Sequence, residues 1–246
     1  MGIGIVLVGA SRRSAIAVKN LAAERFSLAA CSRPQCCCGF VTIVFGMPLP
    51  CSSALHRWNG DRCKALDSLE SAHTAVTGGR RGRQYATEHL NLALFVSLAA
   101  EFQGFCRDLH DEAAEAIACQ VGTSGDQIVV LFQSALTRAR NLDKGNAQPS
   151  SLGSDFYILD IPLWSDLEVR YPKRKGQWHT TLSRLNAARN AIAHRNDDQL
   201  AKVKLVRPLN LRTFRAWRSS LNGAAAGFDC VVGAYLNDTA SIGWQA

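Results

Sequence analysis

The feature of this chain that most restricts its fold is an apolar side chain every three or four residues over most of its length. The pattern is clearest between residues 84 and 119, where the apolar positions are Leu94, Leu98, Phe102, Phe105 and Leu109. This spacing places side chains on one face of an α-helix, whereas a half-buried strand alternates with a period of two. No alternation of useful length follows residue 50. We therefore predict an all-α fold, a single bundle of about five helices within residues 52–238.

One helix beyond this stretch has a clear start signal. The residues SGDQ at 124–127 are typical of a capping box, in which Ser124 and Gln127 satisfy amides at a helix start. The helix that follows is predicted to bury one apolar face, made of Ile128, Leu131, Phe132, Ala135, Leu136 and Ala139.

The second half of the chain is divided by turn signals. The stretches 141–155 and PKRKGQ at 172–177 are predicted to be loops from their composition. A helix is predicted at 178–195, and Asn196-Asp197-Asp198 is a plausible stop for it. The last long helix is predicted to begin at Pro208, because proline is favoured in a first helical turn.

Composition changes near residue 50. Residues 1–50 carry five basic side chains and one acidic side chain, and they show no helical period of useful length. We expect them to form a poorly structured N-terminal extension that contributes little to the fold. Two interpretations stay open: the segment is disordered, or translation begins at Met47 and the upstream residues are a misplaced start.

Nine cysteines raise the question of disulfides or a metal. Their number is odd and no secretory signal precedes them, so we expect reduced thiols and a cytoplasmic protein. Cys31 with Cys36–Cys38 is the one metal-like group, but three adjacent cysteines do not suit the spacing of a structural zinc site. We expect neither metal nor cofactor. The longest apolar runs fall short of the roughly 20 residues of a membrane span, so no membrane partner is expected.

Much of the net charge of +8 lies in one stretch of the chain. Residues 170–195 contain no acidic side chain but carry the cations Arg170, Lys173, Arg174, Lys175, Arg184, Arg189 and Arg195. A phosphate backbone would supply the missing countercharge. Lys173, Arg174, Lys175, Arg184 and Arg195 are therefore predicted RNA contacts, with a solvated loop and helix face as the alternative.

Within the basic stretch lies the motif RNAIAH, residues 189–194. His194 stands just before the predicted helix stop, where the carbonyl ends of a helix favour a protonated imidazole. Asn190 and His194 are four residues apart and share a face, so the amide is able to orient the ring. Arg189 and His194 are about 140° apart around one ideal helix. A site that uses both needs a distorted helix, long side-chain reach or a second copy of the helix.

Single residues elsewhere have structural interpretations. His73 is predicted to be a hydrogen-bonded core residue, and Cys106 and Cys119 are predicted to be small core residues. His179, beside Trp178, has two open interpretations: stacking on a nucleic-acid base, or an ordinary contact between helices.

The motif and its setting resemble the HEPN family, named for higher eukaryotes and prokaryotes nucleotide-binding domains. R-x4-H near the end of an amphipathic helix is similar to the family signature. LNLALFVSLAAEFQGFCRDLHDEA, which begins at Leu90, looks like the long second helix of prokaryotic members, and LRTFRAWRSSLNGAAAGFDCVV at 211–232 looks like their closing helix. The resemblance covers residues 52–238.

The resemblance implies metal-independent RNA cleavage in which the 2′-hydroxyl attacks the adjacent phosphate. Arg189 would hold the phosphate, His194 would transfer protons and Asn190 would be their polar neighbour. It further implies a homodimer with a shared cleft, a role as a toxin or defence effector, and an antitoxin or nucleotidyltransferase as partner. Glu101 is a candidate auxiliary residue of the cleft, and the alternative for it is a carboxylate paired with a nearby arginine.

Two other classes of function remain open. The same fold serves as a non-catalytic module that binds RNA, a nucleotide or another protein. A plain helical interaction domain is the third possibility. The intact Arg189 and His194 favour the ribonuclease, because a scaffold needs neither.

Overall fold

A helix of 34 residues forms the axis of the fold. The computed structural model describes residues 51–78, 87–121, 127–240 and 244. These residues all belong to one compact unit. The predicted N-terminal extension and the capping residue Ser124 lie outside the described residues.

Within the described ranges every regular element is a helix, which confirms the all-α prediction. The elements are α1 (Ser53–Arg57), α2 (Cys63–Thr77), α3 (Glu88–Val121), α4 (Gln127–Thr137), α5 (Pro149–Ile158), α6 (Leu163–Arg170), α7 (Pro172–Ala193), α8 (Asp197–Val206) and α9 (Leu211–Ala240). A single π-helical turn, Trp58–Arg62, joins α1 to α2, and a short 3-10 turn, Asn141–Asp143, precedes α5.

The core forms where α3, α7 and α9 pack against one another. All five positions of the apolar stripe predicted on α3 are buried. Aromatic rings fill the space between elements: Trp58 meets the edge of Phe102 at a centroid distance of 5.5 Å, and Phe95 meets Trp217 at 5.1 Å. The helical period in the sequence thus correctly identified the buried face of the longest helix.

Helices α7 and α9 approach closely because α9 presents glycines to a large ring. Trp178 of α7 is buried, and its ring lies against Gly223 and Gly227, which are one helical turn apart. A Cβ at Gly227 would come within 2.7 Å of the Trp178 ring. This packing fixes the position of α7 in the bundle.

The prediction of a loop at 172–177 is wrong, because α7 begins at Pro172 and includes PKRKGQ. Proline is compatible with the first helical position, since the amide that it lacks has no partner there in any helix. Lysine and arginine are good helix formers, so a run of cations does not oppose a helix.

The prediction of a loop over 141–155 is also wrong. The segment contains the 3-10 turn and most of α5, which buries Leu152, Asp155 and Phe156. Its two glycines, one proline and three serines suggest a loop, but Pro149 occupies the first turn of α5, where it is tolerated.

The connection after α7 differs from the prediction as well. Asn196 does not simply end a helix, because its side-chain oxygen accepts a hydrogen bond from the amide of Gln199 and caps α8. The following helix, α9, begins at Leu211 rather than Pro208. Helix α8 itself was not predicted.

The face predicted to be buried on α4 is exposed instead. Leu131 is 70% exposed, and Ile128 and Phe132 are exposed as well, while Val129 is buried. The helical period was correct, but of the predicted apolar face Leu136 alone packs against the core, and the buried residue of α4 is Val129.

Two predictions about single core residues also need correction. His73 is buried, but neither ring nitrogen has a hydrogen-bond partner among the residues that the structure describes. Cys106 is buried as predicted, whereas Cys119 is exposed. Across the described residues, no helix has the combined length and hydropathy to cross a membrane.

Candidate functional site

The RNAIAH motif forms the last turn of α7 and the reversal that follows it. The amide of Arg195 donates to the carbonyl of Ile192 at 3.2 Å, and the amide of Asn196 donates to the carbonyl of Ala191 at 2.9 Å. These two bonds make a Schellman motif, which requires a left-handed residue just after the helix. Arg195 is that residue, with φ of 50°. The Schellman motif therefore fixes the backbone conformation around His194 at the end of α7.

The His194 side chain is exposed at this helix end. It stands at the C-terminal end of α7, where the last helical carbonyl groups concentrate partial negative charge. Asp197 and Asp198, in the first turn of α8, add two carboxylates close by in the chain. The electropositive stretch therefore ends at Arg195 and is followed at once by acidic residues.

The Arg189 and Asn190 side chains are joined by a hydrogen bond. The guanidinium of Arg189 donates to the side-chain oxygen of Asn190 at 3.3 Å, and the amide of Asn146 donates to the same oxygen at 2.5 Å. The half-buried Asn190 thus orients Arg189. The backbone amide of His194 donates to the carbonyl oxygen of Asn190 at 3.0 Å, but no hydrogen bond joins the side chains of these two described residues, so the expected orientation of the His194 ring by Asn190 is not seen.

Asn146 is presented to Asn190 by a loop whose backbone is held from two sides. From α3, Gln103 donates to the carbonyl oxygens of Leu142 and Gly145 at 2.9 and 2.6 Å. From α7, Asn186 donates to the carbonyl oxygen of Ala147 at 2.8 Å. The loop between the 3-10 turn and α5 is therefore braced directly beneath the motif.

A buried carboxylate holds the other end of this loop. Asp155, fully buried on α5, accepts the backbone amides of Asn141 and Leu142 at 2.8 Å each. Arg140 forms an ion pair with Asp143 at 2.8 Å, and this hydrogen bond lowers the pKa of Asp143. These contacts make the loop a rigid support for Asn146.

His110 completes the polar network under the loop. Its Nε2 lies 3.1 Å from the carbonyl oxygen of Asp155, and its Nδ1 lies 3.4 Å from the Arg140 guanidinium. A carbonyl accepts and a guanidinium donates, so the ring is neutral with its proton on Nε2. Burial lowers the pKa of His110; the backbone hydrogen bond with Asp155 opposes this effect and the charge of Arg140 reinforces it.

The predicted RNA contacts do not form one patch. Lys173 and Arg174 lie at the start of α7, and a rise of 1.5 Å per residue puts them about 30 Å from His194. Lys175 forms an ion pair with Glu168 at 2.8 Å. Of the predicted contacts, Arg195 and the exposed Arg184 are the two nearest the motif along the helix.

Glu101 takes part in a different cluster. It accepts a hydrogen bond from Arg62 at 2.8 Å, and Arg62 also pairs with Asp108 at 2.8 Å. Gly104 makes room for the Arg62 guanidinium, which lies against its Cα. The alternative stated for Glu101, a carboxylate paired with an arginine, is what the structure shows.

His179 makes an ordinary contact between helices, with its ring edge-on to Trp164 at 5.1 Å. The functional candidates that the structure joins are therefore Arg189 and Asn190, together with Asn146, which the sequence did not indicate. No signal near Asn146 could have revealed it, because the contact spans 44 residues.

Within the described ranges, no group of three or more His, Cys, Asp or Glu side chains is placed to hold a metal ion. The cysteines at 31 and 36–38 lie outside those ranges. Comparison with protein-family models, with curated proteins and with solved structures finds no match to this chain.

Proposed function

We propose that this protein is a HEPN-like, metal-independent endoribonuclease that uses Arg189 and His194. The observation that carries the proposal is the end of α7. There Arg189 is oriented by the braced pair of Asn190 and Asn146, and an exposed His194 stands five residues later at the helix terminus.

The chemistry requires two functions that these side chains provide. A histidine accepts the proton of the RNA 2′-hydroxyl as this oxygen attacks the adjacent phosphorus, and a histidine donates a proton to the departing 5′-oxygen. The products are a 2′,3′-cyclic phosphate and a 5′-hydroxyl. Arg189 binds the phosphate and stabilises the charge that develops on its oxygens.

A homodimer is part of the proposal, because the motif is incomplete on one helix. Arg189 and His194 are about 140° apart around α7, and no hydrogen bond joins these two described residues. Two α7 ends that meet across a two-fold axis would bring Arg189 of one protomer near His194 of the other. They would also supply one histidine to accept a proton and one to donate it.

The test is cleavage of a labelled single-stranded RNA by the purified full chain in EDTA, with the product ends identified by mass spectrometry. We expect His194→Ala to abolish cleavage and Arg189→Ala to reduce it by about 100-fold or more, a loss typical of a transition-state contact. Arg189→Lys should restore little, because an ammonium cannot form the bidentate contact of a guanidinium.

Two controls make the assay specific. His89→Ala removes an exposed histidine of α3 and should leave cleavage unchanged. An RNA with 2′-deoxyribose at the cleaved position should bind but stay intact, since it lacks the nucleophile. Equal cleavage by wild type and His194→Ala contradicts the enzyme, and cleavage by a protein that light scattering shows to be monomeric contradicts the shared cleft.

A non-catalytic RNA-binding module is the second candidate. It is favoured by the exposed His194 ring, which Asn190 does not orient, and by the carboxylates of Asp197 and Asp198 that follow. For such a module Arg184→Gln and Arg195→Gln should weaken RNA binding and flatten its salt dependence, while no product appears. Lys175→Gln should have a smaller effect, because Lys175 is paired with Glu168.

A further inference from the structure

Helix α8 is packed less closely against the rest of the protein than the other short helices of the bundle are. None of its residues is buried, and Leu205 and Val206 are 86% and 67% exposed. Leu200 and Val203 are partly buried against the core. Isolated surface leucines are ordinary, but a helix that leaves much of its apolar surface open is typical of an interaction surface.

An open groove runs along α8 between α7 and the start of α9. Its volume is about 320 Å³. Gln199, Lys202, Val203 and Val206 line one side, and their spacing of three, four and seven residues from the first is one face of α8. Ala187 and Trp217 form apolar parts of the wall. The groove is therefore elongated along about two helical turns, or roughly 10 Å.

The rim of this groove carries positive charge only. Arg184, Lys202 and Arg207 line it without any acidic residue. Within the described ranges none of the three forms an ion pair. By contrast, the neighbouring Lys204 pairs with Glu88, and Arg218 pairs with Asp67 at 2.7 Å. Nearby cations are thus neutralised, whereas those of the groove have no carboxylate partner among the described residues.

We propose that the groove formed by α7, α8 and α9 binds an acidic amphipathic helical segment of a partner protein. Apolar side chains of that segment, three and four residues apart, fill the space over Ala187, Val203 and Trp217. Its carboxylates meet the three rim cations. Helix-in-groove binding uses this combination of an apolar stripe and flanking charges. The inference goes beyond the proposed ribonuclease and does not depend on it.

Charge and the apolar wall favour an acidic helical segment over three other candidate ligands of the groove: residues 1–50, a second copy of the chain, and RNA. Residues 1–50 carry five basic side chains against one acidic, and a second copy of the chain brings a net charge of +8. An acidic segment therefore matches the rim cations better than residues 1–50, or than a second copy that meets the chain at this groove rather than at the α7 ends. RNA would satisfy the rim cations but leave the apolar wall without a partner.

The experiment measures fluorescence anisotropy of a labelled peptide of about four helical turns, roughly 14 residues. The peptide has leucines at helical spacing and glutamates on the flanks. We expect the full chain to bind it with a dissociation constant of about 10–100 μM. The double variant Lys202→Glu/Arg207→Glu should weaken binding by about tenfold or more, because it places carboxylates against carboxylates.

The matched control is Arg138→Glu/Lys144→Glu, which makes the same change in net charge at two exposed positions outside the groove. It should bind nearly as wild type does, and circular dichroism should show that both double variants fold. A peptide with lysines in place of the glutamates should not bind.

The proposal is overturned if the acidic peptide fails to bind at about 1 mM. It is also overturned if a scrambled peptide of equal composition binds equally, or if the two double variants bind alike. Binding of a labelled 12-nucleotide RNA is measured in the same way as the last comparison. Loss of RNA binding in Lys202→Glu/Arg207→Glu, with no peptide binding in wild type, would make the groove a nucleic-acid surface and would likewise overturn the proposal.

Discussion

Arg195 occupies the helix-ending position at which glycine is most favoured. Its φ of 50° places it in the left-handed region, where a Cβ costs about 1 kcal/mol. We therefore expect Arg195→Gly to raise the free energy of unfolding by about 0.5–1 kcal/mol, measured by urea denaturation. Arg195→Ala keeps the Cβ and removes the charge, so it should give no such gain.

The same pair of variants separates backbone strain from RNA contact. If Arg195 binds phosphate, both should lower RNA affinity alike, although only the glycine stabilises the fold. A glycine variant no more stable than the alanine variant would show that the left-handed conformation costs little at this site.

At the motif, the sequence allowed one geometric prediction and missed one partner. Residue spacing indicates that Arg189 and His194 do not share a face of one ideal helix. It also suggested that the Asn190 side chain would orient the His194 ring, but the side-chain oxygen of Asn190 accepts hydrogen bonds from Arg189 and Asn146 instead. Spacing gives the neighbours on one helix, whereas a partner from a distant loop depends on how the bundle packs.

Among the helices, the contact of α7 with α9 depends on a missing side chain. Gly227→Ala would press a methyl group onto the buried ring of Trp178, which has little room to move. We expect a loss of about 1–3 kcal/mol in the free energy of unfolding, typical of an overpacked core.

Gly176→Ala is the matched control for this substitution. Gly176 lies within α7, and a Cβ there would meet nothing within 4 Å. Alanine should therefore stabilise the protein by about 0.5–1 kcal/mol through helix propensity. A neutral or destabilising result would contradict a helix that begins at Pro172, and equal effects at both glycines would contradict the Trp178 contact.

The elements that could be predicted were those with a long apolar stripe. Helix α3 repeats its pattern over several turns, so its buried face was correct. Helices α5 and α8 are ten residues each and lack such a stripe, so they were missed. Helix α4 has the stripe but exposes it, because periodicity shows which residues share a face and not what covers that face.

Over the whole molecule, the cations that lie close together in space are not those that lie close together in the sequence. Seven cations that are neighbours in the chain are spread along α7 and its flanks, over about 30 Å. Meanwhile Lys202 and Arg207, which follow the acidic pair Asp197 and Asp198, join Arg184 at one groove. A charge run in a sequence becomes a surface patch only when the helix phase and the neighbouring elements allow it.

The pH dependence of stability is a property of the whole fold to which His110 makes a definite contribution. Burial lowers its pKa in the folded state, whereas in the unfolded chain a histidine titrates near 6.5. As the pH falls through that value, the unfolded chain binds a proton at His110 more readily than the folded protein does. The contribution of His110 to the free energy of unfolding therefore falls between pH 7 and pH 5.5.

His110→Gln tests this contribution, because glutamine can still donate to the carbonyl of Asp155 but does not titrate. At pH 7 we expect the variant to be about 1–2 kcal/mol less stable than wild type, owing to altered packing and hydrogen bonding. The difference should shrink by pH 5.5, since only wild type is penalised by protonation of its unfolded state. Urea denaturation at pH 7.0, 6.0 and 5.5 measures it.

His89→Gln, at an exposed position, is the control, and its free energy of unfolding should differ from that of wild type by the same amount at all three pH values.

Asp229 and Glu112 have pKa values raised by burial, so their linkage has the opposite sign: the folded state takes up their protons more readily than the unfolded chain as the pH falls. Both groups are present in every variant, and their effect cancels in the difference between wild type and His110→Gln. A difference that stays constant over the three pH values would mean that His110 accepts its proton in the folded protein, which would require Arg140 to move away from Nδ1.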